Sequence, residues 1–145
     1  MPGYRKILVA VDFSRDTEHL CRKGAELATR FQSELCLVHV VEPPVIEPAY
    51  DVMPPLPLGL ESEMLARSRK ELIRLGDAYG VPAERCWVET GNTKLEILEL
   101  AAREGVELIV VGSHGRHGIR LLLGSTANAV LNSAKCDVLS VRMPG

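Results

Sequence analysis

The chain has no apolar run approaching the roughly 20 residues that a membrane-spanning helix needs, so membrane insertion is not expected. It has no excess of basic charge either. Lys and Arg number 17 against 19 Asp and Glu, a net charge of −2, which argues against a nucleic-acid binder driven by a basic patch. The amino-terminal stretch Met1-Pro2-Gly3-Tyr4-Arg5-Lys6 carries no signal-peptide core, because the apolar run from Ile7 is cut by Asp12. A cytoplasmic location is the expectation. The four cysteines, Cys21, Cys36, Cys86 and Cys136, include no Cys-x-x-Cys pair, which argues against a disulfide framework or a zinc site. Cys36 and Cys136 fall inside apolar strand patterns and are expected as buried thiols. Three catalytic or phosphate-binding signatures are also missing. There is no Walker lysine, no Gly-x-Gly-x-x-Gly fingerprint and no Gly-x-Ser-x-Gly elbow.

What is present is an ordinary globular composition, 46% hydrophobic and 25% charged, over 145 residues. That is enough chain for one core, and a single domain over residues 1–145 is expected. Strand and helix patterns alternate. Residues 7–11 (Ile-Leu-Val-Ala-Val) and 34–41 (Glu-Leu-Cys-Leu-Val-His-Val-Val) are β-rich runs of the kind buried on both faces. Shorter strands are expected at 85–90, 107–111 and 137–142.

A helix follows Ser14, a candidate N-cap. A second spans about 60–79, with Leu65, Ser68, Leu72, Leu75 and Tyr79 on one stripe. Thr93-Lys94-Leu95-Glu96 fits a capping box opening a third, with Leu95, Leu98 and Ala102 inward and Gly105 as the stop. A fourth is expected over about 125–134. Five strands separated by four helices imply βαβ units and a doubly wound parallel sheet with helices on both faces. Residues 42–59 carry six prolines and cannot be regular structure. A plain surface connection is favoured there over a flap across the sheet edge.

The densest signal is residues 110–127. A strand breaks at Gly112, glycines follow at Gly115 and Gly118, and Gly124-Ser125-Thr126 opens a helix. Free backbone N–H groups beside small residues, the second set on a positive helix end, suit phosphate oxygens. In an open parallel sheet ligands sit beyond the carboxyl ends of the strands. Asp12, His39-Val40 and Gly112 mark three such ends.

Bland readings stand beside these. The glycines could simply turn the chain, Asp12 could hold a turn, and Ser125 could be only an N-cap. His39 reads first as a satisfied, half-buried histidine. His114 and His117 supply too few ligands for a structural metal site, so no metal centre is expected.

Ala10-Val11-Asp12-Phe13-Ser14, His39-Val40, Val111-Gly112-Ser113-His114-Gly115-Arg116 and Leu123-Gly124-Ser125-Thr126-Ala127 together resemble the universal stress protein family, over essentially the whole chain. The resemblance implies a Rossmann-like five-stranded sheet in the order 3-2-1-4-5. It also implies a cytoplasmic homodimer paired through the last strand, residues 137–142, and binding of an adenine nucleotide in many members. Carried over by residue, Asp12 and Ala10 would lie beside the adenosine, with Val11 next to them, and the backbone of Val40 would meet the adenine edge. Val111 and Gly112 would pack near the ribose. Gly115, Arg116, Gly124, Ser125 and Thr126 would meet the phosphates, with Ala127 at the helix start.

The family's ATP pattern places nine residues between its second and third glycines. Here only eight, 116–123, separate Gly115 from Gly124. AMP or ADP therefore stands beside ATP, with Mg accompanying a triphosphate. No catalytic residue is assigned. Two alternatives are a nucleotide-independent interaction protein with an unknown protein partner, and a slow ATPase.

Overall fold

The computed structural model describes residues 3–42, 60–112 and 133–142. Its centre is β1 (Lys6–Ala10), whose Ile7, Leu8 and Val9 are wholly inaccessible to solvent. Burial on both faces explains why this strand is an unbroken apolar run rather than an alternating one. The chain continues through α1 (Thr17–Phe31), β2 (Glu34–Val41), α2 (Leu60–Ala78) and a short 3-10 turn (Ala83–Arg85). It then forms β3 (Cys86–Thr90), α3 (Thr93–Glu104), β4 (Leu108–Gly112) and β5 (Asp137–Val141). The strands make one sheet in the order β3-β2-β1-β4-β5, and every pairing is parallel. The doubly wound sheet expected from the sequence is therefore present.

Two apolar clusters sandwich the sheet. Ile7, Val9, Leu35, Leu37 and Val110 face α1 and α2, where Leu20, Cys21, Ala28 and Leu72 meet them. Leu8, Cys36, Val38, Ile109 and Val111 face α3, which contributes Ile97, Leu100 and Ala101. At roughly 25 cal/mol per Å² of buried apolar surface, these two layers are the main stabilising term.

The boundaries differ from the sequence expectation in instructive places. α1 begins at Thr17, and its cap position is Asp16, which makes no side-chain capping bond. Ser14 lies upstream, where its hydroxyl accepts from the Asp16 N–H at 3.4 Å and its carbonyl from the Thr17 N–H at 3.1 Å. α3 is capped by Asn92, whose side chain accepts from the Leu95 N–H at 3.1 Å, so Thr93 is its first residue rather than its cap. The inward face is Ile97, Leu100 and Ala101, with Leu98 half-buried against the same cluster as expected. Leu95 is 56% exposed and Ala102 is exposed. Apolar residues at 95, 97, 98 and 100 leave the helical phase ambiguous in sequence. Cys136 is only half-buried and precedes β5 rather than lying within it. The expected fourth helix falls largely, and residues 43–59 wholly, outside the described residues.

Burial pushes the Cys21 thiol up to about 12 and the Cys36 thiol up to about 11. The ordinary value for these thiols is near 9. Between that value and the native ones, the folded protein keeps protons that the unfolded chain releases. Their contribution to stability is therefore complete below pH 9 and is lost as pH rises through 11 and 12. The urea midpoint is expected to fall between pH 9 and 11, and to fall less steeply in a Cys21→Ala/Cys36→Ala double variant. An equal slope in that variant would contradict the assignment.

Candidate nucleotide site at the carboxyl edge of the sheet

The strand order places β1 between β2 and β4, so three of the strand ends singled out in the sequence are neighbours. Ala10 ends β1, with Val11 and Asp12 directly beyond it. Val40 lies near the end of β2, and Val111 and Gly112 finish β4. Next to β1 the connections change direction. The chain leaves β1 over the face carrying α1, and β4 is reached by a crossover through α3 on the other face. A crevice at such a point is where open α/β sheets hold ligands. Gly115, Arg116, Gly124, Ser125, Thr126 and Ala127 lie outside the described residues, as do His114 and His117.

Asp12 is exposed and organises a tight turn. Its Oδ1 accepts from the Ser14 N–H at 3.0 Å and from the Thr17 hydroxyl at 3.5 Å. The turn forces Phe13 into the left-handed region, at φ 58°. A bulky residue there costs on the order of 1 kcal/mol or more and needs surrounding structure to hold it. The support is visible: the Phe13 ring packs on the His39 imidazole with centroids 4.3 Å apart. The Nδ1 of His39 lies 2.8 Å from the Val11 carbonyl oxygen. A carbonyl only accepts, so Nδ1 carries the hydrogen. His39 is half-buried and satisfied, as its position in an apolar strand suggested.

The β1–β2 ladder runs one bond past β1, the Val11 N–H donating to the Val38 carbonyl at 2.9 Å. Backbone groups of alternate residues point to alternate sides of a strand. The N–H and C=O of Val40 therefore aim, like those of Val38, toward the β1 side, where β1 has already ended. Among the described residues they have no backbone partner there. Val40 thus offers a donor and an acceptor side by side over the crevice.

A second contact at this edge was not legible in the sequence. The Thr93 hydroxyl donates to Glu42 Oε1 at 2.6 Å, and the Thr93 N–H lies 3.3 Å from the same oxygen. The Glu42 carboxylate therefore sits on the first turn of α3, where a helix favours negative charge. It fixes the point at which the chain leaves β2. No periodicity or spacing links residues 42 and 93.

Two clefts lie away from this edge. One, about 410 Å³, is lined by Tyr4, Leu27, Phe31, Leu108 and residues 137–139. The other, about 620 Å³, lies at the amino ends of β1 and β2 and is lined largely by charged groups, among them Lys6, Glu34, Glu104 and Glu107. Neither includes a residue of the carboxyl edge. Among the described residues, no three His, Cys, Asp or Glu side chains come together as metal ligands, and no helix is long and apolar enough to cross a membrane.

The sequence model of the universal stress protein family matches residues 3–142. The chain is 42% identical to universal stress protein A homolog 2 of Coxiella burnetii over 147 aligned residues, covering 100% of this chain and 99% of that one. It resembles the solved structure of the universal stress protein UspA from Lactobacillus plantarum, with a TM-score of 0.71 and 26% identity, over 98% of this chain and 100% of the other. It also shares its fold with a universal stress protein solved in complex with cAMP, with a TM-score of 0.65 and 21% identity, over 97% and 98% of the two chains. With the parallel 3-2-1-4-5 sheet already in place, the family match over nearly its whole length shows that this chain belongs to the universal stress protein family.

Proposed function

We propose that the protein is an adenine-nucleotide-binding module of the cytoplasm, acting as a homodimer that responds to stress or energy state. The observation that carries this reading is the crevice beyond β1, where the Val40 donor and acceptor, without a backbone partner among the described residues, stand near Asp12 and the end of β4. An adjacent donor and acceptor on a backbone edge match the hydrogen-bonding edge of a flat purine base. The family relative crystallised with cAMP supports an adenine ligand on this fold. Ala10, Val11, Val111 and Gly112 would line the nucleoside. Gly115, Arg116, Gly124, Ser125, Thr126 and Ala127 would hold the phosphates, with Mg alongside if the ligand is ATP. Dimerisation through β5 is supported by its place at the sheet edge, and by Leu139, 36% exposed, close to Leu27 and the 42% exposed Phe31.

The test is calorimetric titration with ATP, ADP and AMP, with and without Mg, on protein whose mass in solution is read by light scattering. A dimer with micromolar affinity for at least one nucleotide is expected. Gly124→Val should lower that affinity at least about 100-fold with unchanged thermal stability, because a side chain would stand where a phosphate oxygen meets the backbone. Equal affinity in the variant would remove the phosphate assignment. Absence of any binding by the wild type would favour a nucleotide-independent interaction protein, and a monomer would remove the β5 pairing.

A further inference from the structure

We infer that His39 is a positioning residue that ends the β1–β2 ladder and thereby keeps the Val40 backbone open for a ligand. The inference builds on the adenine-nucleotide reading, but its structural half stands apart from it. In a parallel ladder, the residue that donates to position 38 of the neighbouring strand accepts from position 40 of that strand. Val11 donates to the Val38 carbonyl at 2.9 Å, so its own carbonyl is the natural acceptor for the Val40 N–H. That bond is not made. The Val11 carbonyl is taken at 2.8 Å by the imidazole Nδ1–H of His39, the residue between Val38 and Val40. The side chain has replaced the next rung of the ladder.

The substitution solves two problems at once. A buried carbonyl must find a donor, and Val11 is buried. Closing the rung with Val40 would satisfy it but would consume the N–H that faces the crevice. His39 satisfies the carbonyl from the other side of the sheet: its side chain projects to the face of Leu35 and Leu37, toward α1 and α2, where the Phe13 ring covers it. The Phe13 turn, with its left-handed backbone, then carries the chain away from β2 into α1. Val40 keeps both polar groups for a partner that is not part of the ladder.

The experiment uses the full-length protein and two variants. His39→Leu keeps bulk against Phe13 but has no donor. His39→Asn keeps an N–H donor at the distance of Nδ1. Through-hydrogen-bond ¹⁵N–¹³C′ coupling by NMR, without nucleotide, reads the rung directly. The wild type is expected to show coupling from His39 Nδ1 to the Val11 carbonyl and none from the Val40 amide. In His39→Leu the Val40 amide should couple to Val11. Titration with MgATP should then show affinity lowered about tenfold or more in His39→Leu, the scale of one lost hydrogen bond. His39→Asn should stay within about threefold of the wild type. A Val40–Val11 coupling in the wild type, or wild-type affinity in a folded His39→Leu, would overturn the inference. If the wild-type couplings are as described but the protein binds none of ATP, ADP, AMP and cAMP, the adenine reading falls and the ladder-ending role of His39 is upheld. Should His39→Leu not fold, the wild-type couplings and the His39→Asn titration still decide the matter.

Discussion

Gly24→Val is expected to lower the stability of the protein by about 3 kcal/mol, and Gly24→Ala by about 1–2 kcal/mol. Gly24 sits in the interior of α1 and is buried against the sheet. A Cβ built there would stand 2.5 Å from Cγ2 of Val9 and 3.6 Å from Cδ1 of Leu35. Val9 is wholly buried in the central strand, and its β-branched side chain has few rotamers to retreat into. The helix must therefore lift from the sheet. Against this, alanine recovers about 1 kcal/mol of the propensity that glycine forfeits inside a helix. Overpacking wins for alanine and wins clearly for valine. Urea unfolding measures the loss, and a double variant identifies its cause: with Val9→Ala present, Gly24→Ala should cost much less than it does alone. Strictly additive losses would show that the Val9 contact is not what requires glycine.

Leu72→Ala is expected to cost about 3–4 kcal/mol, within the 2–5 kcal/mol range of buried leucine truncations, while Leu72→Met should cost less than about 1.5 kcal/mol. α2 has nineteen residues, yet from Ser62 to Ala78 only Leu72 and Gly76 are buried. Gly76 gives closeness rather than contact area: a Cβ there would meet Cys86 Sγ and the Val81 carbonyl oxygen, each at 2.8 Å. Leu65, Ile73 and Leu75 are half-buried. Among the described residues of α2, Leu72 is thus the one wholly buried large side chain, and it enters the same cluster as Leu35, Leu37 and Cys86, with Ile73 and Leu75 packed beside it. Truncation should weaken amide protection in α2 and β3 more than in α3. Uniform loss across the molecule, or a cost below 1 kcal/mol, would contradict this view of α2.

These residues show what the sequence could and could not reveal. The strands announced themselves because burial on both faces demands unbroken Ile, Leu and Val, and residues 34–41 appear as β2 with both limits as expected. The strand order was legible through family resemblance; the pattern of elements gave only a parallel, doubly wound sheet. Helix phase was less legible. In α3 a surplus of apolar residues allowed more than one inward face, and the one observed is centred on Ile97, Leu100 and Ala101.

At the site, Asp12, Val40 and Gly112 could be placed at strand ends because a parallel sheet gathers those ends along one edge. The bond from His39 to Val11 and the clasp between Glu42 and Thr93 could not be foreseen, since each joins residues far apart in sequence through a single polar contact. A histidine interrupting β2 was the visible signal. Which atom it would satisfy depends on the strand register.

The order of the strands also governs how the chain comes together. β1 is made first during synthesis, but one of its two neighbours, β4, is among the last elements to emerge. Until Leu108 is available to pair beside Ile7, the central strand has an open edge of unpaired backbone N–H and C=O groups, flanked by the apolar side chains of Ile7, Leu8 and Val9. Such an edge is the kind of surface on which nascent chains adhere to one another. Closing the sheet requires β4 to insert beside β1. A nascent chain that has released β3 but not yet β4 can pair only β3, β2 and β1, with that edge of β1 open.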